Sequence, residues 1–485
     1  MLAEHLGPFL ERAEEAGGIP SLVRRELEGY LDCGSYDRGV AVVACRCGYE
    51  RLVGLSCGGR GFCPSSGGRR MADFAAHLTD HVMPIVPALR QWVISFPPAL
   101  RYLLGYDAKL CRQVNRVFVR TVFRLLRKRA KRAHGLLAGT KTHPGAVTVV
   151  QRFSSDLRLF PHAHGIFLDG VYVENDVGQP HFLPLDPPTP DDVRWVAKTT
   201  RDRVAKLVER RGVVLDEHGA ESNDLQLEHP ALAHVYGAAV RGTDLDGRPS
   251  AQLGLKAVEP EVPPTPRLAA NVEGFDVHAD VSLDGRDRRA VERMARYLAR
   301  PPICQDRLTR LDDGRVRYAF RRPWKNGQRG VTLDGVSFVG RLAALVPPPR
   351  SPSFVYWGVL GPAHHLRSKV IPKPYVPPPK QLGMFVEDLE GKMLPVHDPP
   401  PRSWDRTPRQ RLEWAKLMRR VFGSQAVACP RCTRPLRVTQ LATTPGAIAA
   451  VLSRHGVLDA GAGSERGPPR PRQQGLAFGD PTAEG

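Results

Sequence analysis

The spacing of apolar and polar positions changes several times along this chain, and each change predicts an element. Residues 2–31 read as one or two short helices. A helix follows from about Arg70 to Met83, then an apolar run at Gln91–Ser95 that predicts a strand. Residues 109–133 predict a long helix, with Val114, Val117, Phe118, Val122 and Leu125 covering one side. The β-branched run Ala146–Phe153 predicts a strand, as do Leu159–Leu168 and Val171–Glu174. Asp191–Arg211 reads as helix. Residues 212–272 are polar and broken by Gly and Pro, which predicts an insertion or loops. Phe275–Leu283 reads as a strand, and Asp287–Ala299 as a helix ended by Pro301-Pro302. Strands at Arg315–Phe320 and Gly330–Leu333 precede a helix that stops near Pro347. A Pro-rich linker, 372–408, leads to a helix at Arg409–Val421 and a Cys pair; the composition of 461–485 predicts disorder. No Gly-rich phosphate loop follows any strand, so a nucleotide-binding fold gains no support. The pattern fits an α+β fold, an antiparallel sheet with helices on one face.

Charge narrows the partner. Of 485 residues, 70 are Lys or Arg and 50 are Asp or Glu, a net charge of +20. Such an excess points to nucleic acid or an anionic surface. No apolar run of about 18 residues exists, and the first residues lack a basic start with an apolar core. The expected setting is therefore cytoplasmic, with nucleoid association. The basic residues also cluster. Between Lys109 and Arg132 no acid occurs, and Arg112, Arg116, Arg120 and Arg124 recur every four residues as one stripe. The stripe reads either as a solvated helical face or as a row of phosphate contacts.

Nine cysteines in a chain of this length are not a disulfide framework, and their clustering favours metal. Cys33, Cys45, Cys47, Cys57 and Cys63 lie close together among glycines. Four thiolates make a closed structural zinc site, so Cys45, Cys47, Cys57 and Cys63 are the expected ligands, with Cys33 as an alternate. Two features depart from paired Cys-x₂-Cys knuckles: Cys45-x-Cys47 is tighter, and Ser66 stands where a second knuckle would end in Cys. Cys429-Pro-Arg-Cys432 is half a knuckle, to be completed by His397 or His455 or left empty. Cys111 and Cys304 read as packing residues.

His162 and His164 alternate on the predicted strand Leu159–Leu168 and so face the same way. They read either as surface histidines on an edge strand or as half of a divalent-metal site. Tyr297 lies on the helix of 287–299 among Arg293, Arg296 and Arg300. Arginines hold phosphate oxygens and ease formation of a phenolate, so Tyr297 reads either as a half-buried core residue or as a nucleophile on a phosphodiester.

Several segments resemble the rolling-circle, HUH-type insertion-sequence transposases that carry an N-terminal transposase zinc-binding domain. They are Cys57-Gly-Gly-Arg-Gly-Phe-Cys63 with its sequel to Met71, Val150-Gln-Arg-Phe153, Phe160-Pro-His-Ala-His-Gly-Ile-Phe-Leu-Asp-Gly-Val-Tyr172, Gly274-Phe-Asp-Val-His-Ala279 and Arg296-Tyr-Leu-Ala-Arg-Pro-Pro-Ile303. Arg321–Trp324, Leu342–Arg350, Tyr356–Pro362 and Cys429–Cys432 continue the series over about residues 30–440. The resemblance implies an HUH endonuclease-like antiparallel sheet flanked by helices, after a small Cys-rich zinc-binding domain. The expected boundaries are 1–70 for zinc binding, 71–371 for catalysis, a linker at 372–408, a C-terminal helix and knuckle at 409–460, and a tail at 461–485. It further implies nicking and rejoining of single-stranded DNA at element ends, a 5′-phosphotyrosine intermediate, structural Zn²⁺, and Mg²⁺ or Mn²⁺ on His162 and His164. Gln151 is the expected third ligand, with His278 its rival. Arg293, Arg296 and Arg300 join the stripe as expected DNA contacts. Partners would be transposon-end and target DNA, and a homodimer stays open. This chain departs from many relatives in having one tyrosine, since Arg293 and Pro301 flank Tyr297 four residues away. It also has Ser66 in the zinc segment and Trp357 where His is common. The competing reading is a non-catalytic zinc-containing nucleic-acid-binding protein derived from a transposase.

Overall fold

The computed structural model describes residues 1–213, 224–253, 268–324, 326–372, 385–387, 393–395, 420 and 427–457. The tail 461–485 lies outside them, as do most of the linker at 372–408 and the predicted helix at 409–421 apart from Arg420.

The chain opens with α1 (Leu2–Glu15), α2 (Ser21–Leu31), β1 (Val40–Ala44), β2 (Glu50–Gly54), α3 (Pro64–His81), β3 (Leu89–Ser95), α4 (Pro98–Tyr106) and α5 (Ala108–Ala133). It continues through β4 (Thr142–His143), β5 (Gly145–Phe153), β6 (Leu159–Leu168), β7 (Gly170–Glu174), β8 (Pro180–Pro184), α6 (Pro190–Glu209), α7 (Asp224–Glu228), α8 (Pro230–Arg241) and β9 (Ala251–Leu253). Then come β10 (Ala269–Val272), β11 (Phe275–His278), β12 (Ser282–Leu283), α9 (Arg288–Leu298), β13 (Leu308–Arg310), β14 (Val316–Ala319), β15 (Gly330–Leu333), α10 (Gly335–Leu345), β16 (Phe354–Gly358) and α11 (Arg367–Val370). The short strands β17 (Phe385–Glu387) and β18 (Met393–Pro395) pair with each other, and β19 (Arg437–Ala442) and α12 (Pro445–Arg454) close the described chain.

A seven-stranded sheet in the order β10-β11-β3-β6-β5-β16, with β12 also on β3, forms the centre. Its pairings are all antiparallel. Side chains alternate across this sheet. One face carries Trp92, Ile94, Ala146, Ala163 and Phe167, packed with Phe118, Val122, Leu126, Val196, Tyr236 and Leu342 from α5, α6, α8 and α10. Gly165 lies on that face, where the Phe167 ring occupies the space a Cβ would need. The other face carries Val147, Val149, Ile166 and Leu168, covered by Phe74 and Leu78 of α3 and Val291, Met294 and Leu298 of α9. Helices therefore cover both faces, where the sequence pattern predicted one. The helix starts are locally encoded: Asp107 caps α5, Asp287 caps α9, Asp334 caps α10, and Thr189 with Asp192 forms a capping box on α6.

Prolines and a glycine mark helix ends at two further places. Pro98 starts α4, a helix missing from the sequence reading, because proline suits the first turn. Within the expected loop region 212–272, Pro230 opens α8 and Gly242 (φ 81°) ends it in the left-handed conformation. The apolar face of α8 is buried, so this part is core. The single strand expected at Phe275–Leu283 is split into β11 and β12, both against β3.

A separate three-stranded sheet has the order β19-β1-β2. Residues 427–457, expected to stand apart with the C-terminal helix, thus share a sheet with the N-terminal Cys-rich segment. Val40 and Val42 pack there against Ala442, Ile448, Val451 and Leu452. By contrast α1 and α2 join the main core through Leu2, Leu6, Phe9, Val23 and Leu27.

Candidate active site and thiolate clusters

Strand register assembles the first site. His162 on β6 pairs with Gln151 on β5 and Ser95 on β3; His164 pairs with Val149 and Val93. Directly paired residues share a face, so His162, His164 and Gln151 project together toward α3 and α9. The two imidazoles lie 4.7 Å apart between ring centroids. From the last turn of α9, Tyr297 sets its ring edge-on to His164 at 5.7 Å. Gln151 fastens that turn to the sheet, because its amide NH₂ donates to the carbonyls of Tyr297 (3.2 Å) and Leu298 (2.7 Å).

The donor set, two imidazole nitrogens and one amide oxygen, suits a divalent cation. Gln151 Oε1 and His164 Nε2 are both buried and both lack a hydrogen-bond partner. His162 Nδ1 lies 2.7 Å from the Phe160 carbonyl; donating there fixes the tautomer that leaves Nε2 with a lone pair. His164 Nδ1 lies 2.9 Å from the Gln91 amide. The Gln91 amide turned by half a rotation would accept from Nδ1–H and give His164 the same tautomer. Burial pushes the His162 imidazolium down to about 4, with Arg300 and Arg101 adding to the effect. Burial, His162 and Arg300 likewise lower His164. Both rings are neutral at pH 7, the form that binds metal. His278, the rival third ligand, lies across Val93 from His164 in the register, and its Nε2 is 2.9 Å from Asp276.

The arginines divide. Arg300 stacks its guanidinium 4.7 Å from the Tyr297 ring centroid, and its Nε is buried without a partner. Arg296 is buried and bonded to Glu292 and to the Arg420 carbonyl, so the expected DNA contact is spent inside the protein. Arg293 is exposed, 3.9 Å from Asp287. Arg420 also reaches Asp80 on α3 and Glu292 on α9, which ties these two helices together. Arg101, which no sequence signal marked, lies over the Phe160 ring at 3.9 Å and adds a cation beside His162.

The exposed stripe Arg112, Arg116, Arg120 and Arg124 belongs to α5, on the sheet face opposite His162 and His164. It borders a groove of about 560 Å³ lined by Arg116, Arg120, Phe123, Arg127 and Trp357. Trp357 is tied down there through its Nε1–H to Thr148 (2.8 Å). Stripe and histidines thus meet different surfaces.

The cysteines group otherwise than their order suggested. Cys45 and Cys47 meet Cys429 and Cys432, with Sγ–Sγ distances of 3.4 Å (Cys45–Cys432) and 3.6 Å (Cys47–Cys429). Four sulfurs about 2.3 Å from one tetrahedral ion would stand roughly 3.8 Å apart, so the quartet fits zinc. The C-terminal half-knuckle is completed by Cys45-x-Cys47, not by His455, which lies 3.3 Å from Glu50; His397 lies outside the described residues. Cys57 and Cys63 gather with Cys33, so Cys33 is a full member of a second cluster. There Ser66 donates its place to no fourth thiol; its Oγ is 3.3 Å from Cys57 Sγ and accepts from Gly58 N–H.

Residues 145–368 match the family model described as "Putative transposase", and residues 2–96 match that of the transposase zinc-binding domain of IS91 type. No curated protein and no solved structure matches the chain. The zinc-binding match and the two cysteine clusters together support structural Zn²⁺.

Proposed function

We propose that this chain, which belongs to the IS91-type transposases with an N-terminal zinc-binding domain, nicks and rejoins single-stranded DNA at element ends through Tyr297. The observation that carries the reading is the convergence of Tyr297 with His162, His164 and the orphaned Gln151 Oε1 on one sheet face. His162, His164 and Gln151 would hold Mg²⁺ or Mn²⁺, whose contribution is to polarise the phosphodiester. Tyr297 Oη forms the new bond to phosphorus as the bond to the 3′ oxygen breaks. The phenol proton passes to solvent, and the leaving strand takes a proton to end as a 3′-hydroxyl. The product is a 5′-phosphotyrosine. Rejoining is the reverse: a 3′-hydroxyl attacks phosphorus and the phenol is restored. Arg300, stacked on the ring, would hold a phosphate oxygen.

DNA is the partner a transposase requires, and the net charge of +20 supplies the attraction. With Arg293 and Pro301 four residues either side of Tyr297, one chain offers a single nucleophile on α9. Successive cleavages then use Tyr297 in turn or draw on a second subunit. Among the described residues no helix is long and apolar enough to cross a membrane.

The test incubates full-length protein with single-stranded oligonucleotides from the element's ends and Mn²⁺. A covalent protein–DNA adduct that survives denaturation and vanishes in Tyr297→Phe is expected. A folded protein that binds these strands in a salt-dependent way, forms no adduct and is indifferent to His162, His164 and Tyr297 would instead be a non-catalytic binder.

A further inference from the structure

The described residues hold a further cluster of metal-binding side chains, apart from the cysteines and from the His162 pair. His143 ends β4, Glu174 ends β7, and His365 lies in the turn between β16 and α11. His143 Nε2 is 3.3 Å from Glu174 Oε1, and His365 Nε2 is 3.1 Å from the same oxygen. The three candidate ligand atoms all lie within 4.8 Å of one another. Ligands bound about 2.0–2.1 Å from one tetrahedral ion stand roughly 3.3–3.4 Å apart. The two histidine–carboxylate separations fall near that spacing, which is also that of direct ion pairs, and His365 Nε2 makes a hydrogen bond with Glu174. Although His143 Nε2 is that near to Glu174, it is buried without a well-directed hydrogen bond. An ion pair alone leaves that nitrogen unsatisfied; an ion would satisfy it.

We propose that His143, Glu174 and His365 form a fourth metal site, for a borderline divalent cation of zinc's class. Two imidazoles and one carboxylate suit Zn²⁺ rather than Mg²⁺, which prefers oxygen ligands and water. Glu174 and His365 reach the surface, so the fourth position is open to solvent. His364 supplies the supporting shell: its Nε2 is 3.2 Å from His143 Nδ1. Donation from His143 Nδ1–H to that nitrogen leaves the His143 Nε2 lone pair facing Glu174 and His365. That tautomer requires His364 Nδ1 to give up the Leu366 N–H it now accepts at 3.2 Å. The site is distinct from the His162 pair. His143 precedes Gln151 by eight positions (151 − 143) across β4 and β5, roughly 26 Å of extended chain. Its effect would be to clamp the small sheet β4-β7-β8 to the segment that follows β16.

The test uses full-length protein with its cysteine sites filled by zinc, in a His162→Ala/His164→Ala background that silences the other histidines. Co²⁺ alone is titrated in. One equivalent is expected, giving visible d–d bands without a thiolate-to-cobalt charge-transfer band. His365→Ala removes an exposed side chain and leaves the fold intact. It should weaken uptake at least about tenfold, as should Glu174→Gln, while far-ultraviolet circular dichroism stays unchanged. Absence of thiolate-free cobalt uptake, or uptake equal in His365→Ala, Glu174→Gln and their background, overturns the proposal.

Discussion

Gln151 offers the sharpest test of the candidate active site, because its two ends do different work. Its NH₂ holds the last carbonyls of α9, and its Oε1 points at the histidines without a partner. Gln151→Leu removes two hydrogen bonds, each contributing about 0.5–1.5 kcal/mol, and deletes one orphaned acceptor whose burial costs about 1 kcal/mol. The net loss is about 0–2 kcal/mol, a fall of up to roughly 8 °C in Tm for a domain of this size. Gln151→Glu behaves differently. A carboxylate has no hydrogen to donate, so it meets two carbonyl oxygens and destabilises the metal-free protein more than Leu does. With Mn²⁺ the order reverses, because a carboxylate binds a hard cation better than an amide. Thermal melts with and without MnCl₂ therefore separate three proteins. The wild type gains Tm with Mn²⁺, Gln151→Glu gains more, and Gln151→Leu gains little. A Gln151→Leu protein that keeps the full Mn²⁺ shift would remove Gln151 from the ligand set. Unchanged metal-free melts in both variants would show that the amide does not hold α9.

Three further outcomes follow from the structure. Cys432→Ser should cost one equivalent of bound zinc and the hydrogen-exchange protection of both β1 and β19; loss of protection confined to the C-terminal strand would break the link between them. Ser66→Cys adds a fourth thiol to Cys33, Cys57 and Cys63, and should slow zinc release to a chelator; unchanged release would mean Ser66 does not face the ion. His162 is held neutral by burial, with its folded value near 4 against 6.5 unfolded. The unfolded state then binds more protons between these values, so stability falls with pH from about 6.5 toward 4. The metal-free protein should lose roughly 2 kcal/mol between pH 7 and pH 5 on this account. A His162→Gln variant should show a shallower loss in denaturant melts, and an equal slope would refute the assignment.

Much of the sheet was legible in the chain because alternation is a local signal. β5, β6 and α5 lie within a residue or so of their predicted ends, and His162 and His164 share a face as the period of two requires. The opposition of Gln151 and His162 follows once β5 and β6 form a hairpin. What could not be read is pairing over long separations. Nothing local to Cys45-x-Cys47 announces partners 382 residues away, and the tight spacing looked like a defect because the second half of the site was elsewhere. α5 advertised its arginines but not the face of the sheet it covers; its apolar side, Phe118 and Val122, decided that by packing on Phe167. Arg296 looked like a phosphate ligand until Glu292, one helical turn earlier, was seen to claim it. His143, Glu174 and His365 come from three separate segments, so only the folded chain brings them together.

The split quartet has a consequence for synthesis. At about 5–20 residues per second, a ribosome needs roughly 20 to 80 seconds to make the 382 residues between Cys47 and Cys429. Throughout that interval Cys45 and Cys47 offer two thiols with no mates. The unit can lock only when nearly the whole polypeptide exists. A prematurely terminated product would carry Tyr297 and both histidines yet lack the closing half of the clasp, so completion of translation becomes a condition for an intact terminal module.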